Sequence, residues 1–396
     1  MALSDLPLSY CTNVHPGRSL AEVDRGLDEY TAPLKTNYGA PLAAGLWLAA
    51  PVIAELLAEP DRLPRFHDGL SRRGLTCHTL NAFPYGDFHS RRVKENVYLP
   101  DWSDRLRFNY TVDCARVLAA LLPADVEGSI STVPLAFKGF THASDHLDRC
   151  AAQLVETAIA LDRLFQETGR LVRLAVEPEP YCLIETTDEA LAFFEKIWQV
   201  AETDNVLAAA RRYLGLCYDV CHQAVEFEDI PASIKKLDAA GVRINKVHIT
   251  CALELETPGT NVAGREALAG YVEERYLHQT LAWSKNRAIL RQIDLTTELA
   301  LHPAAEFREA EAWRIHFHVP VNAENLGPLR TTRRELRQAL ETVAGLDYAP
   351  HLEVETYTWE VLPGRPASST AQMLIDGLTG EMTATRELLA DVGGRT

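Results

Sequence analysis

LGLCYDVCH, residues 214–222, is a short apolar run that closes on Asp219 and, three residues later, on His222. Two flanking segments have the same form. LVRLAVEPEP (171–180) runs into Glu177, and INKVHIT (244–250) runs into His248. Apolar runs of this length, separated by helical pattern, are the buried strands of a parallel sheet. In a parallel β/α barrel the active residues sit at the carboxyl ends of the strands, where the loops converge. Three successive strands ending in a carboxylate or an imidazole therefore predict a divalent-metal site at the mouth of such a barrel. HLEVETYTW (351–359), the last strand-like segment, adds Glu353 as a fourth donor. The intervals, 42 residues from Glu177 to Asp219 and 29 from Asp219 to His248, suit one strand and one helix per unit.

The rest of the chain repeats that rhythm. LSYCTNVH (8–15), GLWLA (45–49), LTCHTLNAF (75–83) and SISTVPLAF (129–137) read as the earlier strands. Helices are expected over about 19–35, 51–58, 104–122 and 145–168, and one opens at the capping box Thr186-x-x-Glu189. Another, around 231–240, closes at Gly241, and one starts at Thr332-x-x-Glu335. Residues 251–313 break the pattern. They read as an insertion carrying two helices, 264–292 and 304–312, followed by the strand WRIHFHVPV (313–321). The count is nine strands for an eight-stranded barrel, the surplus being WRIHFHVPV or the first. With no linker and no internal repeat, the 396 residues read as one decorated (β/α)8 TIM barrel with a C-terminal helical tail over about 365–396.

Lys and Arg number 39 against 55 Asp and Glu, a net charge of −16 with no basic run longer than a pair. That balance opposes nucleic acid and anionic membranes as partners, since affinity for both rests on local positive charge. The eight cysteines form no CxxC pair and no small-domain framework, and MALSDLPLSYCTN lacks the features of a signal peptide. Both point to the cytoplasm. The most apolar window, 40–58, is broken by Pro51 and Glu55 and reads as strand then helix rather than a membrane span.

Other polar residues fall near the same mouth. His78 is placed at the end of the third strand, near Asn81, Tyr85 and His89; His316 and His318 flank Phe317 and so share a face. These are candidates for contact with substrate, and His318 is also a candidate metal ligand. His142 and His146 read as the solvated start of a long helix, and Cys217 and Cys221 as small buried apolar groups.

Glu…Asp-x-x-His…His…Glu on four late strands resembles the xylose isomerase-like TIM barrel superfamily of sugar isomerases, ketose epimerases and endonuclease-type members. More narrowly, YCTNVHPG, FPYGDFH, VYLPDW, HFHVP and HLEVETYTW look like the EboE family of metabolite traffic proteins. The resemblance spans about residues 8 to 360. It implies Glu177, Asp219, His248 and Glu353 as ligands of one divalent ion (Mn, Zn, Mg or Fe) and His222 as a substrate contact. The 105 residues between His248 and Glu353 exceed one βα unit, and leave His318 a rival to Glu353.

The expected activity is isomerisation or epimerisation of a polar, hydroxylated small molecule, with Glu177 and Glu353 removing and returning the proton. A non-catalytic metabolite-binding or traffic component on the same barrel is the alternative. Metal-assisted phosphodiester cleavage is a remote third, opposed by the charge. The insertion suits either a lid or a subunit interface, which leaves a homo-oligomer open.

Overall fold

The computed structural model describes residues 3–364 and 370–394; of the expected C-terminal tail, 365–369 and 395–396 lie outside the described residues. Eight parallel strands close a barrel: β1 (Ser9–Cys11), β2 (Ala43–Trp47), β3 (Thr79–Asn81), β4 (Gly128–Thr132), β5 (Val172–Val176), β6 (Leu214–Asp219), β7 (Ile244–Ile249) and, after a long excursion, β14 (His351–Val354). β14 fills the gap between β7 and β1, so the last strand completes the ring. Register is fixed by pairs such as Asp219 with His248 and His248 with Glu353.

The period-2 geometry of a strand explains which residues look inward. On β6, Tyr218 packs outward, hydrogen-bonded to Ser233 of the helix Ile230–Ala239, so Asp219 beside it faces the barrel interior. A register shift between Leu216 and Cys217 bends the strand just before Asp219. The helices form where sequence signals place them. Thr186 and Glu189 complete a capping box on Thr187–Thr203, and Gly241, at a φ of +69°, lets the chain leave Ile230–Ala239 without a steric penalty. Among the described residues, the α-helices Arg62–Arg72, Leu207–Tyr213, Val220–Val225 and Thr297–Leu301 were not expected.

The excursion between β7 and β14 differs from the expectation of two helices. It builds a second, antiparallel sheet of six strands in the order β10–β9–β11–β8–β13–β12: β8 (Leu253–Glu256), β9 (Thr280–Trp283), β10 (Ile289–Gln292), β11 (Ala312–Ile315), β12 (Asn325–Leu326) and β13 (Leu329–Thr331). The helix expected over 264–292 ends at Ala269. The rest folds into the β9–β10 hairpin, turned at Ser284–Ala288 with Arg287 at a φ of +64°. WRIHFHVPV is the surplus strand, because its first residues pair with β8 and β9 rather than with the barrel. The excursion lies over the carboxyl ends of the barrel strands. It is tied there by Lys94, whose ammonium is 2.6 Å from Asp294 and also donates to the carbonyls of Glu273 and Tyr276.

Candidate metal centre

Each candidate is positioned by its own strand end. Glu177 follows β5 directly. Asp219 ends β6 and caps the helix Val220–Val225: its Oδ1 accepts the His222 backbone N–H at 3.1 Å and the Thr250 hydroxyl at 2.7 Å. That use of one oxygen as an N-cap is why Asp-x-x-His brings both side chains to one place. It leaves Oδ2, fully buried, accepting no hydrogen bond.

His248 is the centre of the arrangement. Its Nδ1 lies 3.0 Å from Glu177 Oε1, 3.2 Å from Glu355 Oε2 and 3.4 Å from Asp219 Oδ2. Its Nε2 lies 3.1 Å from Glu353 Oε2. Glu353 in turn is 2.5 Å from the ammonium of Lys246, both side chains being wholly buried. So Glu353 stands on the far side of the imidazole from the three-carboxylate cluster. Gly45 makes room for it, since a Cβ at that position would overlap Glu353 Oε1.

The carboxylate that reaches the mouth from the last strand is Glu355, two residues beyond Glu353 and on the same face. The side-chain amides of Asn13 and Asn81 donate to its Oε1 at 2.8 and 2.7 Å, which leaves Oε2 toward His248. Glu355 lines a cleft together with Glu177, Glu179, His222, His316 and His318, and Glu353 does not. Aromatic side chains line the same cleft: Phe83, Phe88, Tyr98, Tyr276 and Tyr357.

Burial sets the protonation of these groups. It pushes Glu355 up to about 7 against the pull of His248, and it raises Glu177. Glu179, accepting the Tyr98 hydroxyl at 2.6 Å, is raised well above the carboxylate range by burial. Glu353 moves the other way. Burial opposes its charge, yet Lys246 and His248 hold it near 2. His248 is likewise kept well above the ordinary histidine value, because Cys217, Glu177 and Glu355 outweigh its burial.

The remaining candidates divide. Asn81 is in the cleft. His78 precedes β3 instead of ending it, about 10 Å along the strand from Asn81, and its ring packs edge-on against His351 at 4.8 Å. Tyr85 packs against Tyr110 at 5.1 Å and does not line the cavity. His316 and His318 lie just past the end of β11 and both reach the cleft, while Phe317 between them stacks on His278. His142 and His146 lie apart from it, beside Asp101. All eight cysteines are free and buried. Sequence reading missed Glu355, Glu179, Lys246, Asn13, Tyr98 and Gln279. For two of them a signal existed: Glu353 and Glu355, like Lys246 and His248, are spaced to share a face.

Among the described residues no helix is long and apolar enough to cross a membrane. No family model and no curated protein matches the chain, so the narrower likeness to EboE rests on its motifs alone. Solved structures do match. An L-ribulose 3-epimerase is similar over 100% of this chain and 96% of its own, at 13% identity and a TM-score of 0.50. A xylose isomerase-like TIM barrel protein from Mycobacterium smegmatis, in complex with magnesium, is similar over 99% and 98%, at 12% identity and a TM-score of 0.52. At such identities the likeness speaks to architecture: the chain has the xylose isomerase-like TIM barrel fold.

Proposed function

We propose that the protein is a divalent-metal-dependent isomerase or epimerase of a polar, hydroxylated small molecule. The observation that carries the reading is the convergence of Glu177, Asp219 and Glu355 on one imidazole nitrogen at 3.0–3.4 Å, at the floor of a cavity. Ligands held roughly 2.0–2.2 Å from one ion stand about 2.9–3.6 Å apart at octahedral to tetrahedral angles, so the distance of each carboxylate oxygen from His248 Nδ1 fits. The chemistry fits as well. Three buried carboxylates around one imidazole carry more negative charge than a single proton offsets, and Glu177 Oε2 and Asp219 Oδ2 accept no hydrogen bond.

The residues that would hold the ion are Glu177, Asp219, His248 and, in place of Glu353, Glu355. Glu353 instead accepts the His248 Nε2–H. This fixes the tautomer that turns the Nδ1 lone pair toward the carboxylates, the usual outer-shell role of a carboxylate behind a metal-binding histidine. Lys246 balances the charge of Glu353. When bound, a divalent cation supplies Lewis acidity to adjacent oxygens of a hydroxy-carbonyl substrate.

The chain's own groups account for the rest. Glu177, which burial raises, turns Oε1 to the centre and keeps Oε2 without a hydrogen bond, so Oε2 is the oxygen suited to take a proton and return it; Glu355, also raised by burial, is the second such carboxylate. The L-ribulose 3-epimerase and the magnesium-bound barrel among the structural neighbours support the class of reaction and the kind of ion.

The test is metal analysis of the purified protein, followed by conversion assays on a panel of ketoses and cyclitols. Glu177→Gln is expected to abolish turnover with an unchanged circular-dichroism spectrum. A metal-loaded protein that binds one of these compounds tightly and converts none would replace this reading with that of a metabolite carrier.

A further inference from the structure

On the side of the cleft nearest the inserted sheet, three imidazoles face one another. His222 Nε2 is 3.0 Å from His316 Nε2, which is 3.3 Å from His318 Nε2. The opposite nitrogen of each ring is committed elsewhere. His222 Nδ1 meets the carbonyl of Pro178 at 2.9 Å, and His318 Nδ1 the carbonyl of Glu355 at 2.8 Å. A carbonyl only accepts, so both Nδ1 atoms carry hydrogen.

His316 Nδ1 lies 2.6 Å from Gln279 Oε1. The orientation of that amide is set by its other end, because Gln279 Nε2 donates to the carbonyl of Pro180 at 3.2 Å and to Tyr98 Oη at 3.0 Å. His316 Nδ1 therefore carries hydrogen too. With all three rings neutral, their Nε2 lone pairs point at each other across about 3 Å with no proton between them, an arrangement that is repulsive unless a cation sits among them. Asp219 Oδ2, which accepts no hydrogen bond, is 3.9 Å from both His222 Nε2 and His318 Nε2.

We infer that His222, His316, His318 and Asp219 form a second divalent-cation site beside the first, with Asp219 shared between the two. Three neutral imidazoles and one carboxylate are a donor set for a borderline first-row ion such as Zn²⁺ rather than for Mg²⁺ or Ca²⁺. Each imidazole already has the outer acceptor that such a ligand requires. Cys221 is also within reach of His316 and His318; Asp219 takes the fourth place because it is anionic without losing a proton and has an oxygen to spare. His222 and His316, read from the sequence as substrate contacts, thereby become metal ligands. The inference stands apart from the isomerase reading, since the tautomers are fixed by acceptors that the reading does not use.

The experiment is zinc loading of the metal-free full-length protein, removal of free ion by gel filtration, and metal analysis. Two zinc ions per chain are expected for wild type, one for His316→Gln, and one for the Glu177→Gln/Glu355→Gln double variant. X-ray absorption of the zinc-loaded wild type, which needs no variant to fold, should give an average of two imidazoles per zinc. A single zinc with one imidazole, or two zinc ions retained by His316→Gln, overturns the inference. A single zinc with three imidazoles upholds it and removes the first site instead.

Discussion

Glutamine in place of Glu353 separates the two roles that a carboxylate on the last barrel strand can play. The substitution keeps the length of the side chain and an acceptor oxygen for His248, but removes the charge that faces Lys246 at 2.5 Å. Lys246 is then left with Leu80 O and Ser131 Oγ, both at 3.3 Å, as its hydrogen-bond acceptors. Breaking a fully buried ion pair by removing one partner costs about 3–5 kcal/mol. For 396 residues, at roughly 2.1 cal/mol/K of unfolding entropy each, that loss lowers Tm by about 4–6 °C. On the metal, loss of an outer-shell acceptor lowers affinity about 10- to 100-fold without abolishing binding. Glu355→Gln, which removes an inner donor, should weaken the metal further and disturb stability less. Calorimetry gives the Tm values, and competition with a fluorescent chelator gives the affinities. If Glu353→Gln melts within a degree of wild type and loses all metal, while Glu355→Gln binds normally, the assignment of inner and outer carboxylates is reversed and the reasoning fails.

Three further outcomes follow from the same geometry. The pKa of Glu353 is depressed in the folded state, from 4.5 to about 2, so its contribution is present above pH 4.5 and is lost as pH falls toward 2. The shift corresponds to about 3 kcal/mol, and urea unfolding should show the gap between wild type and Glu353→Gln narrowing from pH 6 to pH 3; a constant gap counts against it. Gly45→Ala puts a methyl group where Glu353 Oε1 lies, and should cost about 2–4 kcal/mol in chemical denaturation; a neutral result means that Glu353 has another place to go. Metal at about 100 times its Kd should add about 2.7 kcal/mol, or about 3 °C in Tm, reversed by chelator; a melting curve insensitive to both argues against an ion bound in the folded state.

The barrel was legible in the sequence because its signals are local. Apolar runs of five or six residues, a capping box at Thr186, and Asp219 with His222 three residues on are features a chain displays without reference to distant segments. Glu177, Asp219 and His248 meet because each ends a strand of one parallel sheet, and that much follows from the pattern. The choice between Glu353 and Glu355 does not. Both face inward, and which one reaches the mouth depends on the register of β14 against β7 and on the presence of Lys246 beneath it, which no local pattern contains. The same holds for the inserted sheet, whose strands pair across long separations, Leu253 with Thr331 and Ile315 with Leu253. Its antiparallel pairing turned an expected helix into a hairpin and carried His316 and His318 from a supposed barrel strand to the rim. Sequence alone determined the fold and the kinds of donor; only closure of the barrel, which sets depth and contact between residues far apart in the chain, decided which donors share a centre.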